Sequence, residues 1–572
     1  MKTLLIILLS ICTLFPMLQA REQEREGNPL DRFKDFHSRR AYPYMDIPRD
    51  LLGKAKQTMN QMIEKKGGAS LLAAQPEWKL LGPTSVGGRV RSASIHPTNP
   101  DIVYIGAANG GVWKTTNGGY LWEPLMDFEN SSSMGQVAID PNNPSTIYAA
   151  TGEDRGGSYG YSGSGIYRST DEGKSWKLIG LATVGAFTSF KVHPLNSNVL
   201  YAAGMNANAG FYRSTNAGAT WERTYSKGVL DISINPKNID ELFIASPGNG
   251  VYKSKDGGMT FTYCQMPGYG EGDNLDLAKF GHITVQMAPS NPLIVYSLYE
   301  DGQNKLGTIV KSTDGGETWV PCFDDDGTFF NSQGSYDIYI TVHPTNPNIV
   351  LAGGIDVYRT TNGGAVWDNI TRVYTGGNQH PDQHCATFAP SNNKIVYAGN
   401  DGGMMKSEDA GESWETINNQ LAITQYHAFG IDQSQSAMAY GGAQDNGTTS
   451  LNSAAYGDIV GGDGGFTMVD FVNPNTVYAS TQNGNMYRIS MNTRQVGRIG
   501  TSIPADDATL FIAPMNMDPT DSKTIYQGRT SVWQSTNQGQ TWLSISPKFS
   551  EKVSRSEEHT SELQSRVDIS YA

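Results

Sequence analysis

Ser312–Trp319 reads S-T-D-G-G-E-T-W, and the fold follows from how often it comes back. Asp in a turn bonds the backbone ahead of it. The two glycines, Gly315 and Gly316, permit the positive φ that a tight turn needs. Thr318 and Trp319 then open a strand, with the Trp free to cover the turn. The pattern S/T-x-D/N-x-G-x-x-W recurs at Thr115–Trp122, Ser169–Trp176, Ser214–Trp221, Thr360–Trp367, Ser407–Trp414 and Ser535–Trp542, with Ser254–Phe261 as a Phe variant. The turn carboxylates and amides Asn117, Asp171, Asn216, Asp256, Asp314, Asn362, Asp409 and Asn537 each close their own hairpin. Calcium at these turns is disfavoured, because one turn offers too few oxygens for the roughly 6–8 that calcium takes.

The turn aromatics from Trp122 to Trp414 step forward by about 40 to 58 residues, the period of a four-stranded propeller blade. Within a period, short β-branched and aromatic runs alternate with Gly, Pro and Asn, which is strand-and-turn chemistry. Thr341–Pro344, Ile349–Ala352, Val357–Thr360 and Val366–Ile370 read as four successive strands. Between Trp414 and Trp542 the turns decay, yet Ala437–Gly442, Thr448–Leu451, Val477–Ser480 and Met486–Ile489 still read as blade strands. The pattern predicts ten all-β blades between Gly88 and Ser546. Two arrangements fit: a seven-bladed propeller followed by part of a second, favoured by the break after Trp414, or a single ten-bladed ring.

The domains read as follows. Residues 1–20 form an export signal, with Lys2, the apolar run Leu4–Leu14 and a cleavage site at Leu18–Ala20. Residues 21–77 are a polar lead-in with a helix over 48–66, its stripe of Leu51, Leu52, Ala55, Met59, Met62 and Ile63 packed on the propeller wall. Residues 78–419 are the first propeller and 420–554 further blades. Trp78–Leu81 matches the fourth strand Trp176–Ile179 and is expected to complete a blade begun elsewhere in the chain. Residues 555–572 resemble the conceptual translation of a sequencing adapter and are read as an artefact, with the natural chain continuing past Ser554.

The chain of 572 residues carries a formal net charge of −13. That sign disfavours nucleic acid and anionic membranes as partners, and suits cations or neutral glycans. Beyond the leader no stretch approaches membrane-spanning length. Cys264, Cys322 and Cys385 are odd in number and are expected to be free thiols. Nothing in the spacing implies a cofactor.

The turns occupy one face of the propeller disc, so ligand chemistry is expected on the other, in the loops between second and third strands and between blades. Four loops stand out: His380–His384, Asn400–Gly403, Gln444–Gly447 and Gly461–Gly465. They carry His380, Asp382, His384, Asp401, Asp445 and Asp463, which are expected to share one region. Asp401, Asp445 and Asp463 are the catalytic candidates, since paired carboxylates can hydrolyse a glycosidic bond. A divalent cation on His384, Asp382 and Asp401 is a further possibility. The competing reading is that Asp beside Gly simply makes turns. Tyr159 and Tyr161, in the Gly-rich insertion Gly152–Ser164, suit either stacking on sugar or packing over the hub.

These octapeptides resemble bacterial neuraminidase repeats, the Asp boxes of sialidases, sortilin-type receptors and xyloglucan-specific endoglucanases. The stretch Ala107–Trp122, A-A-N-G-G-V-W-K-T-T-N-G-G-Y-L-W, is similar to large exported bacterial propellers of that kind. The resemblance implies a propeller over Trp78–Ser554. For activity it implies less. No arginine triad or Tyr nucleophile of sialidase type is assignable. The first-blade loop that holds a catalytic Asp in xyloglucanases is Ala107–Trp113 here and has no carboxylate, whereas Gln444–Gly447 resembles a loop of their second propeller. The leading expectation is therefore an exported, non-catalytic propeller that binds protein or glycan at the cell surface; the alternative is a glycoside hydrolase.

Overall fold

The computed structural model describes residues 80 and 82–553, apart from 155–160, 266–280, 324–328, 330–332, 378, 436–437 and 454–456, together with Lys54, Ala55, Thr58, Gln61 and Met62. The chain forms ten antiparallel sheets, nine of four strands and one of three, each built from strands consecutive in sequence. Blade one is typical: Val90–Ile95, Val103–Ala107, Gly111–Thr115 and Glu123–Pro124 run from hub to rim. Its three inner strands are mostly buried and its last strand is exposed. Val, Ile, Tyr and Ala fill those inner strands because both of their faces meet neighbouring blades.

Seven sheets close into a ring. The hub strands Val90–Ile95, Met134–Ile139, Ala186–Val192, Asp231–Ile234, Ile283–Met287, Tyr339–Val342 and Gln383–Ala389 contact one another in order, and the last returns to the first. The closing seam is apolar: Val90, Ala93, Ile95 and Trp113 of blade one pack with Tyr397, Met404, Leu421 and Ile423 from blade seven onward. The remaining three sheets begin at Tyr426–Ile431, Gly464–Val469 and Met515–Met517 and pack on each other as the start of a second array. The architecture is a tandem propeller, not a single ten-bladed ring. The seven sheets of the ring have four strands each without Trp78–Leu81, and so does the tenth, whose fourth strand is Leu543–Ser544; the eighth sheet has three, and the blade completion expected of Trp78–Leu81 lies outside the described residues. Of that segment only Leu80 is described, and it is exposed.

The octapeptide turns close by side-chain hydrogen bonds. Asp314 Oδ1 accepts Thr318 N–H at 2.9 Å and Glu317 N–H at 3.1 Å, and Ser312 Oγ accepts Gly316 N–H at 2.8 Å. The hydrogen bonds, first that of the Thr318 hydroxyl, hold the Asp314 carboxyl down at about 2. The second glycine has a further task that the sequence reading lacked. At Gly119, φ is +94° and a Cβ would stand 2.5 Å from Ile417 Cδ1 of blade seven, so the turn sits directly on the preceding blade. The Trp also differs from expectation. Trp319 donates to Gly316 O in its own turn, but Trp122, Trp176, Trp221 and Trp367 donate to Ile417, Leu125, Ile179 and Cys322 of the preceding blade.

The helix expected over 48–66 falls largely outside the described residues. Its described members are helical, with Thr58 Oγ1 donating to Lys54 O at 2.9 Å. Ala55 and Met62 are exposed, so this part of the stripe is not packed on the wall. Residues 1–20, Tyr159 and the tail 555–572 also lie outside. Cys264, Cys322 and Cys385 are free, and burial pushes each thiol up to about 12. Among the described residues no helix is long and apolar enough to cross a membrane.

Candidate functional site

On the face opposite the octapeptide turns, four blades send polar side chains to one buried point, Arg89 of blade one. It stands just ahead of the first hub strand, after Gly87 and Gly88. A Cβ on Gly87 would meet Gly402 O at 2.2 Å, so that glycine allows blade one to lie directly on the loop that carries Asp401. Arg89 Nε pairs with Glu153 Oε1 of blade two at 2.7 Å. Its Nη1 faces Asp401 Oδ2 of blade seven at 3.2 Å and Asp445 Oδ2 of the eighth sheet at 3.4 Å. The same nitrogen donates to the Tyr336 hydroxyl, which enters ahead of blade six.

Asp401 is the most heavily bonded carboxylate. Oδ1 accepts His384 Nε2–H at 2.6 Å and Oδ2 accepts Tyr336 O–H at 2.6 Å. Burial would raise its pKa, but the Arg89 charge and the His384 bond hold it well below the usual carboxylate range. Arg91 Nη1 donates to His384 Nδ1 at 2.6 Å. With one ring nitrogen accepting from an arginine, the imidazole is neutral and carries its proton on Nε2. Burial, then the Arg91 charge, lowers His384 to about 4. Burial raises Glu153 more than Arg89 and Arg91 lower it. Tyr336 is likewise pushed far up by burial.

Of the predicted residues, His380, His384, Asp401, Asp445 and Asp463 come together. His380 Nε2 bonds Asp445 O at 2.7 Å, and Asp463 Oδ1 accepts Asp445 N–H at 2.9 Å. Asp445 adopts φ 57°, held in the left-handed region by these two bonds and by its place before Asn446-Gly447. Asp382 is buried nearby, but its Oδ1 accepts Gln333 Nε2 at 2.7 Å. The cation arrangement expected of His384, Asp382 and Asp401 does not form: both nitrogens of His384 are committed, and among the described residues no three His, Cys, Asp or Glu side chains converge to hold a metal ion. Tyr161 is half-buried and its hydroxyl donates to Gln425 at 3.1 Å, a packing role over the hub.

Sequence reading missed Arg89, Arg91, Glu153 and Tyr336. One signal was available: Gly87-Gly88-Arg89-Val90-Arg91 puts two arginines at the head of a hub strand, and none of the other six hub strands opens on an arginine or lysine. Charge balance accounts for the cluster. Buried carboxylates require a buried cation or a proton, and Arg89 is 2 % exposed against 1 % for Asp401.

Fold and cluster together define a tandem β-propeller with a polar junction on one face. No family model matches the chain. A xyloglucanase from a Paenibacillus species is 26% identical over 318 residues, 52% of this chain and 27% of that protein. A xyloglucanase of Acetivibrio thermocellus is 25% identical over 341 residues, 50% of this chain and 38% of that one. An oligoxyloglucan-reducing end-specific xyloglucanase of Emericella nidulans is 25% identical over 379 residues, 58% and 41%. The chain spans 27% to 41% of the length of these three relatives. Among solved structures, an ancestral GH74 enzyme superposes with a TM-score of 0.61 at 17% identity, covering 83% of this chain and 72% of that one. A GH74 xyloglucanase from Xanthomonas campestris gives 0.52 at 14% identity, 82% and 81%. At those identities the structural likeness is one of fold. The leading expectation of a non-catalytic binder is overturned by these relatives, which are xyloglucanases.

Proposed function

We propose that this protein is a glycoside hydrolase acting on a xyloglucan-type β-glucan, with the polysaccharide lying over the face that carries Asp401, Asp445 and Asp463. One observation carries the reading: half of the chain aligns with proteins named xyloglucanases. The chemistry of the cluster assigns roles within it. Asp401, locked by His384, Tyr336 and Arg89, stays ionised and steadies positive charge. Asp445, at 9 % exposed the most accessible of the three, and Asp463 beside it are the groups to transfer a proton. Asp401 and Asp445 share a single guanidinium nitrogen, so they act as one unit on one side of a sugar ring. Export, read from the leader, suits a polysaccharide substrate.

The test is release of reducing ends from xyloglucan by the wild-type chain and by Asp445→Asn and Asp463→Asn. Expected is release by wild type and a fall of about 10²–10⁴ in at least one variant, with circular dichroism showing both variants folded at the assay temperature. Absence of release by folded protein, or full activity in both variants, overturns the reading.

A further inference from the structure

The seven hub strands enclose an axial cavity of about 510 Å³, within the roughly 300–1,000 Å³ of small-molecule sites. It is separate from the Asp401–Asp445 pair, neither of which lines it. Its inner end is bounded by Arg91 and His384. Its far end reaches Pro390, which is exposed on the face of the octapeptide turns, so the cavity opens there.

The wall sets donors beside acceptors, and that mixture decides what it can hold. Gln136 and Gln286 each spend an amide N–H on the backbone carbonyl of the next residue, both at 3.3 Å. Thr188 donates to Val229 O at 2.7 Å and Thr387 to Ala93 O at 3.2 Å. Each commits one donor to the backbone; the threonines keep oxygen lone pairs for the cavity, the glutamines keep theirs together with a second N–H, and Lys191 on the same wall adds an ammonium donor. Asp231, also on the wall, is satisfied where it is: its two oxygens accept from Ser189, Thr284, Ile232 N–H and Val285 N–H. At the inner end Arg91 uses two N–H bonds on neutral acceptors, His384 Nδ1 and Asp154 O, of the five it has. Tyr339 lines the cavity too, and its buried hydroxyl has no partner.

We propose that this cavity binds a small neutral polyol, a mono- or disaccharide, entering from the face of the octapeptide turns. A wall that offers acceptors and donors side by side calls for a ligand whose groups do both, and sugar hydroxyls are that. An anion brings acceptors only, so it leaves the glutamine and threonine oxygens without donors, and it adds a charge to a wall whose two cations, Arg91 and Lys191, are already matched by two carboxylates, Asp154 and Asp231. A cation meets Arg91 at the inner end. A polyol gives hydroxyl hydrogens to Gln136, Thr188, Gln286 and Thr387, takes one from Tyr339 and one from Arg91, and leaves no charge to compensate. The inference does not rest on the hydrolase reading, since Gln136, Thr188, Gln286, Thr387 and Tyr339 lie outside the carboxylate cluster and only Arg91 touches it, through His384.

Binding is measured by saturation-transfer NMR and calorimetry on the full chain, with D-xylose, D-glucose and cellobiose as neutral probes and D-glucuronate and D-glucosamine as charged ones. The expected result is millimolar binding of at least one neutral probe. It weakens roughly fivefold or more in Gln136→Leu/Gln286→Leu, which removes two acceptors, with unchanged circular dichroism and unchanged reducing-end release from xyloglucan. If no neutral probe binds folded protein, the proposal fails. If the double variant binds as wild type, the sugar sits elsewhere. If glucuronate or glucosamine binds more tightly than every neutral probe, the site is a charge receptor and the polyol assignment is wrong.

Discussion

Arg89 sets the energetics of the junction. It compensates Glu153, Asp401 and Asp445 at a point where almost no solvent reaches. Removing one member of such a buried network costs about 3–5 kcal/mol, because the partners stay buried without compensation. Arg89→Met is therefore expected to destabilise the protein by about that amount at pH 7 in urea unfolding. The loss should be smaller at pH 5. With the cation gone the carboxyls' folded pKa values rise, so their penalty is absent below the unfolded pKa and grows as pH climbs. Equal losses at both pH values would show that Arg89 acts by packing alone. His384 has the opposite sign. Its folded pKa, about 4, lies below the 6.5 of the free group, as does that of His282. Between those values the unfolded chain binds more protons, so stability falls as pH is lowered from 6.5 toward 4. His384→Gln should flatten the fall in melting temperature over that window; an unaltered slope would mean that His384 does not titrate there. The sequence placed Asp401, Asp445 and Asp463 in neighbouring loops because loops of one kind on successive blades lie side by side. It could not place Arg89, whose partners come from four blades and up to 356 positions along the chain.

At the scale of the element, the octapeptide turn is legible because its chemistry is local. Positions three and one bond the backbone within the same eight residues, and the repeat marks every blade that keeps them. Asp and Asn interchange for a visible reason. Where Asp314 Oδ2 accepts the Thr318 hydroxyl at 2.5 Å, Asn216 Nδ2 donates to the Thr220 hydroxyl at 2.8 Å, and the hydroxyl rotates to suit. Asp314→Asn is thus expected to leave the melting temperature at pH 7 unchanged, while Asp314→Ala lowers it by a few degrees. A drop in the Asn variant as large as in the Ala variant would make charge, not the acceptor oxygen, the cause. What stayed hidden is the contact across blades, since nothing in S-x-D-x-G-x-x-W says which carbonyl the indole will find.

At the scale of the molecule that contact has a consequence. A ring of blades must join its last blade to its first, and many propellers do so by strand exchange. This ring joins intact sheets, so closure depends on side chains. Trp122, 5 % exposed, carries its indole across the seam and donates to Ile417 O at 2.8 Å. Trp319, 4 % exposed, is as well buried, but its N–H stays in its own turn. The pair therefore separates seam from turn. Trp122→Phe removes a bond worth about 1 kcal/mol and loosens the ring at one place; Trp319→Phe removes a bond of similar worth and loosens only a hairpin. Native-state hydrogen exchange reads the difference. In Trp122→Phe the amides of Val90–Ile95 and Gln383–Ala389, on the two sides of the seam, are expected to lose protection together while Asp231–Ile234 on the far side keeps it. In Trp319→Phe neither seam strand should change. If Trp122→Phe lowers protection evenly through all seven blades, the ring opens nowhere in particular, and closure belongs to the apolar seam of Val90, Tyr397 and Met404 rather than to the indole that spans it.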